Sequence, residues 1–347
     1  MSGGVDSSVA AYLTQKQGYE CVGCMMKLYT NDDIGVQKGR TCCSLDDAED
    51  ARSVANRLGI PFYVFNFSDQ FREKIIDKFV SCYENGITPN PCVDCNRYMK
   101  FDRLYERAQA IGCDRIVTGH YARSEKTEDG YVLMKARDNE KDQSYVLYML
   151  TQNQLSHILF PLGERSKSEI RAIAKDNGFL NANKPDSQDI CFVPDGDYAA
   201  TIRRFSDKEY TPGRFVDKSG KELGIHKGIV CYTKGQRKGL GISADAPLYV
   251  CEIRPKENEV VLGSNEDLFG THVNVGDVNR IVPYKDGDKV RCRAKIRYRQ
   301  KEQEALVTFL EGDRAKLVFD EPQRAITKGQ AAVFYDGDVV IGGGTII

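Results

Sequence analysis

Through about the first two hundred residues, apolar positions switch between helical spacing and short continuous runs; beyond about residue 206 they fall into brief alternating stretches cut by Gly, Asp and Pro. The first texture predicts alternating helices and strands, hence a parallel sheet covered by helices. Ser7 to Gln17 has helical spacing with Gly18 as its stop, and Tyr19 to Lys27 reads as a strand. Ser44, with Asp47 three residues on, opens a helix running to Leu58 ahead of Gly59. IPFYVFNF (60–67) is a strand rich in aromatic and branched side chains. Helices cover about 69–85 and 101–111, and DRIVTGHYA (114–122) is a short strand ending in a polar turn. The second texture, as in TPGRFVDKSGKELG and APLYVCEIRPKENEVVLG, predicts small all-β domains. The expected organisation is an α/β domain over 1–205, a small central β domain over 206–268 and a further β domain over 269–347.

Composition fits this picture: 347 residues exceed one ordinary core, and 41% hydrophobic with 29% charged is the balance of a soluble globular chain. No apolar run approaches the ~20 residues of a membrane helix, and Met1 leads directly into Gly3 and Gly4 rather than a secretory pattern. A cytoplasmic protein without a membrane partner is expected. Twelve cysteines in that compartment argue for reduced thiols, most of them small buried hydrophobes, the adjacent Cys42 and Cys43 being loop or packing thiols. The pair Cys92/Cys95 and the isolated Cys191 stand out. His157, His226 and His272 have no metal-ligand spacing.

Net charge is −1, so a polyanionic partner would need locally concentrated positive charge. KVRCRAKIRYRQK (289–301) supplies it: every odd position is Lys or Arg, and Val290, Cys292, Ala294, Ile296 and Tyr298 lie between them. Period two puts seven positive charges on one face of a strand. A merely solvated face normally mixes both signs, so this segment reads as a contact to an RNA backbone. GQRKGLG (235–241) reads either as a second such contact or as a tight turn.

The chain opens MSGGVDSSVAAYL, two glycines, an acid and two hydroxyls directly before a helix. Backbone amides at such a helix end can approach a phosphate closely. The loop has neither a Walker lysine nor the G-x-G-x-x-G spacing. It resembles instead the pyrophosphate loop of the PP-loop ATP pyrophosphatases, in which loop amides, Ser2, Ser7 and Mg²⁺ would neutralise a departing pyrophosphate and Asp6 would act as metal or positioning acid. Such a loop follows the first strand of its sheet, yet only Met1 precedes Ser2. Either the start is truncated or another strand fills that place.

Further stretches extend the resemblance. SGGVDSS (2–8), Met26–Lys27, TPNPCVDCN (88–96), TGHYA (118–122), KDQSYVLY (141–148), DSQDICF (186–192), GQRKGLG, RYRQ (297–300) and GQAAVFYDGDVVIGGG (329–344) follow, in order, the pattern of the tRNA-specific 2-thiouridylases, the MnmA (TrmU) family. That resemblance implies a Rossmann-like PP-loop domain of the adenine nucleotide alpha-hydrolase type with a parallel sheet, then two small β domains, the last a β-barrel contacting tRNA. It implies adenylation of O2 of a wobble uridine by ATP, then replacement of that oxygen by persulfide sulfur, giving 2-thiouridine and AMP. Ser2, Gly3, Gly4, Asp6, Ser7, Met26 and Gly119 match ATP-contacting positions. Cys95 matches the nucleophile and Cys191 the persulfide carrier, with a transient disulfide between them as one route. Asn90, Pro91 and Cys92 match the segment that meets the target base; Lys141, Asp142, Gln143, Arg297 and Tyr298 match tRNA-contacting positions. The implied partners are tRNA and a sulfur relay protein or cysteine desulfurase delivering persulfide.

A thiolate is the reactive form, and Arg97 and Lys100 follow Cys95 closely. Persulfide sulfur on Cys191 could attack the adenylated carbon directly, or Cys95 could attack the persulfide and release sulfide. Where many family members carry an acid this chain has Cys92, so Cys92, Cys95 and Cys191 could together hold a [4Fe-4S] cluster with one open iron, as in related tRNA thiolases. His120 follows Gly119 at a strand end, where it reads equally as a nucleotide contact or as a histidine satisfied by backbone. Two competing readings are adenylation of a small molecule, against which the β domains and motif cysteines count, and a non-catalytic zinc-binding RNA module, which lacks a second Cys or His pair.

Overall fold

A computed structural model describes residues 1–35, 45–185, 190–193 and 196–347. Cys42, Cys43, the Ser44 cap and Asp186–Asp189 of the DSQDICF motif lie outside the described residues. The chain forms two compact units: Met1–Ile75 with Cys92–Gly196 and Gly337–Ile341, and Ile76–Pro91 with Asp197–Asp336 and Gly342–Ile347.

In the first unit the opening helix spans Val5–Lys16, and Gly18 leaves it at φ +89°. The strand Gly23–Lys27 pairs in parallel with Phe62–Asn66, Met26 opposite Phe65, and the helix Leu45–Leu58 lies between them in the chain. A second parallel pair joins Ile116–Val117 to Ile158–Leu159. Among the described residues these remain two separate pairs. The amino group of Met1 donates to the Cys24 carbonyl, the one backbone bond the segment before Ser2 makes to that strand among the described residues. The core is built from the inward faces of two helices, with Val5, Val9 and Ala10 of the first against Ile170 and Ala174 of Lys167–Asp176, closed by Val54, Tyr121, Leu162 and Phe179. Each buried side chain of valine to phenylalanine size contributes about 1.5–3 kcal/mol. A hairpin, Ala122–Thr127 with Gly130–Lys135, takes Val339 and Val340 as a third antiparallel strand, and Arg123 pins Asp338 at 2.8 Å.

The helix expected over 101–111 begins ten residues earlier. Pro91 opens it, as a residue without an amide proton suits a first helical position. After one α-turn, Pro91–Asp94, the chain widens into a π-helical stretch over Cys95–Arg103 and returns to α over Leu104–Ala110. Pro91, Val93, Asn96, Met99, Phe101, Leu104 and Ala108 are its buried positions. A basic and polar surface hid this apolar face from the sequence reading.

The second unit contains the helices Asp77–Glu84 and Tyr198–Phe205 and a four-stranded sheet ordered Glu222–His226, Gly213–Val216, Glu259–Gly263, Tyr249–Arg254. Phe215, Tyr232, Val250, Val260 and Leu262 fill its core. The remaining strands form a closed six-stranded barrel: Phe269–Arg280, Arg314–Arg324, Gln303–Leu310, Lys289–Lys295, Ala331–Asp336 and the segment from Gly342, which returns to pair Ile346 with Val275. The α/β domain followed by two β domains, the last a barrel, is the fold class the sequence predicts. No helix among the described residues is long and apolar enough to cross a membrane.

The basic strand keeps its alternation: Lys289, Arg291 and Arg293 are exposed, Cys292 and Ala294 buried, and burial pushes the Cys292 thiol up to about 12. Its charge is not single-signed. Glu304 lies directly across the ladder from Arg293 and binds it at 2.8 Å, while Asp320 takes Arg291 through two contacts of 2.9 and 2.6 Å. Acids from neighbouring strands thus pair with two of its cations, and the strand ends at Lys295, so Lys289, Arg291, Arg293 and Lys295 share its face rather than all seven basic positions of 289–301.

Candidate active site

The site in the first unit starts from a helix N-terminus. Gly4 is the N-cap of Val5–Lys16 and no side chain caps it. Ser7 and Ser8 hydroxyls donate to the Gly4 carbonyl at 3.0 Å, and Ser7 Oγ accepts from the Ser2 amide at 3.0 Å, so the hydroxyls brace the loop from behind. A 12-residue helix with uncapped leading amides carries the partial positive charge that favours an anion. Gly3 sits at φ +73°, and a Cβ there would lie 2.5 Å from the Asp47 carbonyl. Gly119, at the end of the strand Ile116–Val117, packs on the loop backbone, where a Cβ would lie 2.8 Å from Asp6 C and Ser7 N. The fold therefore brings Gly119 against the loop that holds Ser2, Gly3, Gly4, Asp6 and Ser7, more than a hundred residues before it in the sequence.

The loop is held by two lysines that the sequence reading missed. Lys167 Nζ donates to both Asp6 carboxylate oxygens, at 2.7 and 2.8 Å, and the Tyr121 hydroxyl donates to Oδ1 at 2.8 Å. The ammonium also stands 5.7 Å from the centroid of the Tyr121 ring. Lys167 opens a helix that Ser166 and Glu169 cap reciprocally. Ser-x-x-Glu marks that helix start, but nothing in it says that Asp6 lies opposite. Lys184 donates to Asp47 at 2.5 Å, Asp50 at 2.7 Å and the Gly3 carbonyl at 3.4 Å, and Asn181 donates to the same carbonyl at 3.0 Å. Burial opposes the Lys184 charge, but bonds to Asp47 and Asp50 outweigh it and raise its pKa.

That raised value gives an expected result. Removing the lysine leaves the buried Asp47 without its ammonium, so Lys184→Met should lose about 2 kcal/mol of stability. Because the folded pKa lies above the unfolded one, the contribution is complete below the ordinary lysine value of 10.5 and disappears as pH rises through the raised value. Urea denaturation of both proteins should show a constant gap from pH 6 to 9 that closes in the alkaline range. An equal gap at pH 11 would contradict the assignment.

Met26 lies on the strand Gly23–Lys27, half-buried. Asp142 accepts from the Ala136 and Ser144 amides at 3.0 and 3.2 Å, and Gln143 Oε1 accepts from the Tyr121 amide at 2.9 Å. Asp142 and Gln143 thus hold the turn that aims Tyr121 at Asp6; Lys141 beside them is half-exposed. His120 is buried, with Nδ1 2.9 Å from Thr118 Oγ1 and Nε2 3.3 Å from Lys100 Nζ, so side chains rather than backbone satisfy it. Burial, then the Lys100 charge, hold its pKa well below the ordinary 6.5.

Cys95 is half-buried at the start of the π-helical stretch, a local widening frequent at functional sites, and Cys92 one turn before it is exposed. The buried Asn96 anchors this turn through a 2.9 Å bond from Nδ2 to the Val146 carbonyl. Cys191 is half-buried; its carbonyl accepts from Tyr29 at 2.8 Å, and Phe192 packs edge-on against Phe71 at 5.7 Å. Among the described residues no group of three or more His, Cys, Asp or Glu could hold a metal ion. Cys92, Cys95 and Cys191 are all described, so as placed they do not fit the ligand set of an iron–sulfur cluster, and no step is assigned to one.

In the second unit, Gln330 donates to the Thr88 and Pro89 carbonyls at 3.0 and 3.1 Å and the Thr88 amide to Lys328, which holds the segment leading to Asn90 and Pro91. Arg297 donates to the Ala325 carbonyl at 3.2 Å and Thr327 Oγ1 at 2.7 Å, while Tyr298 is 41% exposed.

Residues 1–195 match the model of the tRNA methyl transferase HUP domain, 201–264 the tRNA methyl transferase PRC-barrel domain and 271–346 the Aminomethyltransferase beta-barrel domain. Over its whole length the chain is 53% identical to the tRNA-specific 2-thiouridylase MnmA of Clostridioides difficile (strain 630), spanning 96% of that protein. It is 52% identical to MnmA 1 of Thermoanaerobacter sp. (strain X514) and 51% to MnmA of Clostridium botulinum (strain Alaska E43 / Type E3), again over the whole chain and 96% of each relative. The chain belongs to the tRNA-specific 2-thiouridylase family. The three matched stretches follow the α/β, sheet and barrel portions of the chain in order, so the family membership covers the loop, both motif cysteines and the barrel strands together. Within this 2-thiouridylase, Lys167 and Lys184 are the additions that geometry makes to the residues named by motif.

Proposed function

We propose that this protein is an ATP-dependent tRNA-uridine 2-sulfurtransferase acting on the wobble uridine of tRNA. The observation that carries the reading is the loop Ser2–Ser7, uncapped at the helix end and closed from the other side by Gly119. The β- and γ-phosphates of ATP lie on the loop amides, and Lys167 supplies the cation that a Walker lysine would. Asp6 is the carboxylate that would hold a phosphate-borne Mg²⁺, whose chemistry is neutralisation of the departing pyrophosphate. Met26 and Gly119 border the nucleotide.

Attack of the uracil O2 on the α-phosphate releases pyrophosphate and leaves an adenylated oxygen on C2. Sulfur from a persulfide on Cys191 then displaces AMP, and the Cys95 thiolate completes the transfer by forming a disulfide with Cys191, which an external thiol reduces. Asn90, Pro91 and Cys92 border the base; Lys141, Asp142, Gln143, Arg297 and Tyr298 serve the tRNA, Asp142, Gln143 and Arg297 chiefly by holding backbone. A cytoplasmic sulfur relay protein or cysteine desulfurase supplies the persulfide.

The test is direct. Purified protein incubated with ATP, Mg²⁺, a tRNA transcript bearing a wobble uridine and a persulfide donor should yield 2-thiouridine and AMP, read by nucleoside mass spectrometry. AMP formation that ignores tRNA, with no 2-thiouridine, would overturn the reading in favour of small-molecule adenylation.

A further inference from the structure

The carboxylate that faces the nucleotide loop already carries a cation, and that cation belongs to the chain. Lys167 Nζ reaches Asp6 Oδ1 at 2.7 Å and Oδ2 at 2.8 Å, spanning both oxygens, and the Tyr121 hydroxyl donates to Oδ1 at 2.8 Å. Three of about four acceptor positions of the carboxylate are filled. Charge-assisted bonds of this length are among the stronger polar contacts, and water reaches this pair only in part, the lysine side chain being 12% and the aspartate 30% exposed. The lysine backbone is fixed as well. Its amide donates to Asp138 at 3.0 Å, and Ser166 and Glu169 cap the helix that it opens.

Mg²⁺ takes oxygen ligands at about 2.0–2.1 Å. Seated on either Asp6 oxygen, it would stand a few ångströms from the ammonium, like charge against like charge in a partly desolvated place. The two cations therefore compete for one carboxylate. Asp47, whose carbonyl borders Gly3 on the same loop, is engaged by Lys184 at 2.5 Å, as is Asp50 at 2.7 Å. Among the described residues no group of three or more His, Cys, Asp or Glu could hold a metal ion, so the protein offers a bare ion no cage of its own. A single carboxylate does suit a Mg²⁺ that arrives on phosphates, because the phosphates complete its ligands and give the displaced ammonium an anion to pair with.

We propose that Lys167 is a placeholder for the divalent cation: it occupies Asp6 in the nucleotide-free protein and keeps bare metal off the loop, so that the metal enters only with the phosphates that carry it. The proposal deepens the reading of Asp6 as the carboxylate for phosphate-borne metal, and it makes Lys167 the residue that selects the metal–nucleotide complex over metal alone. No covalent bond changes; the step exchanges one cation for another on one carboxylate.

The test is titration of Mn²⁺ alone, an ion with the same preference for oxygen ligands, into the full-length protein without nucleotide, followed by the electron paramagnetic resonance signal of the unbound ion. Lys167→Met should bind one ion at least about tenfold tighter than the parent, because the like charge has left the carboxylate. Lys167→Arg, whose guanidinium also pairs with a carboxylate, and Tyr121→Phe, which loses a donor but keeps the ammonium, should stay within about threefold of the parent. Adding Asp6→Asn to Lys167→Met should abolish the gain. Lys167→Gln repeats the titration should the methionine protein fail to fold. Binding by the Lys167 variants no tighter than the parent, a gain that survives Asp6→Asn, or an equal gain in Tyr121→Phe would each overturn the proposal. If Mn²⁺ behaves as expected but the parent does not bind ATP in the presence of Mg²⁺, the hold of Lys167 on Asp6 stands and the nucleotide reading falls.

Discussion

Cys95→Ser and Cys191→Ser should each lower 2-thiouridine formation by about three orders of magnitude or more, with tRNA and ATP binding retained. Serine keeps the volume and a hydrogen-bonding group at both half-buried positions, so the helix turn at Cys95 and the Tyr29 bond to the Cys191 carbonyl persist. What disappears is a nucleophilic sulfur on one side of the transfer or the sulfur carrier on the other. Because the two thiols act as one device, the double mutant should be no worse than either single mutant, a non-additivity typical of residues that work as a unit. Cys92→Ser is the informative comparison. It is exposed and no metal-holding group among the described residues includes it, so its loss should cost less than about threefold, within the range of surface substitutions. A dead Cys92→Ser protein whose parent contains iron would reinstate a cluster at the three cysteines, and a Cys95→Ser protein retaining a tenth of parent activity would sink the nucleophile assignment. Mass spectrometry of the tRNA nucleosides reads all four variants.

The second large effect lies at the loop. Gly119→Ala should reduce kcat/KM for ATP about 10²-fold, the order of loss that an ångström of misplacement produces at a reacting centre. The added methyl group would stand 2.8 Å from the backbone of Asp6 and Ser7, and backbone at a helix start cannot yield without turning the loop amides. Gly3→Ala meets a harsher position, with φ +73° and a carbonyl at 2.5 Å, and should also lower stability by about 1–3 kcal/mol. Gly4→Ala supplies the contrast: its backbone is extended at φ −87° and its Cβ would meet only Ser2 Oγ at 3.6 Å, so it should cost well under tenfold. Titration of ATP into each variant, alongside thermal unfolding, separates a displaced loop from an unstable protein. Equal affinities for the Gly4→Ala and Gly119→Ala proteins would remove the strand-end contact from the account.

Much of this site was legible without coordinates because its signals are local. A glycine that needs positive φ, a helix start with two hydroxyls, a stop glycine after an apolar period and the two-residue alternation of the barrel strands all depend on neighbours within a few residues. The same locality explains where the structure differs. The helix that the pattern predicts over 101–111 starts at Pro91; the pattern misses that start because Pro91 and the buried Asn96 and Met99 sit among polar residues whose burial no short window reveals. The basic strand looked single-signed because Glu304 and Asp320 come from other strands.

By itself the sequence determined the fold class, the loop with its glycines, and the ordered motifs that announce the family. Tertiary structure alone decided which charges meet: Lys167 with Asp6 across 161 residues, Lys184 with Asp47 across 137, Lys100 with a neutral His120, and acids beside the arginines of the barrel. Among the described residues it assembles no group of three or more His, Cys, Asp or Glu that could hold a metal ion. The physical reason is one of range. Backbone conformation and amphipathic period are set by adjacent residues, whereas an ion pair or a ligand set depends on where the folded core returns distant segments, and that path is written in packing that no single stretch contains.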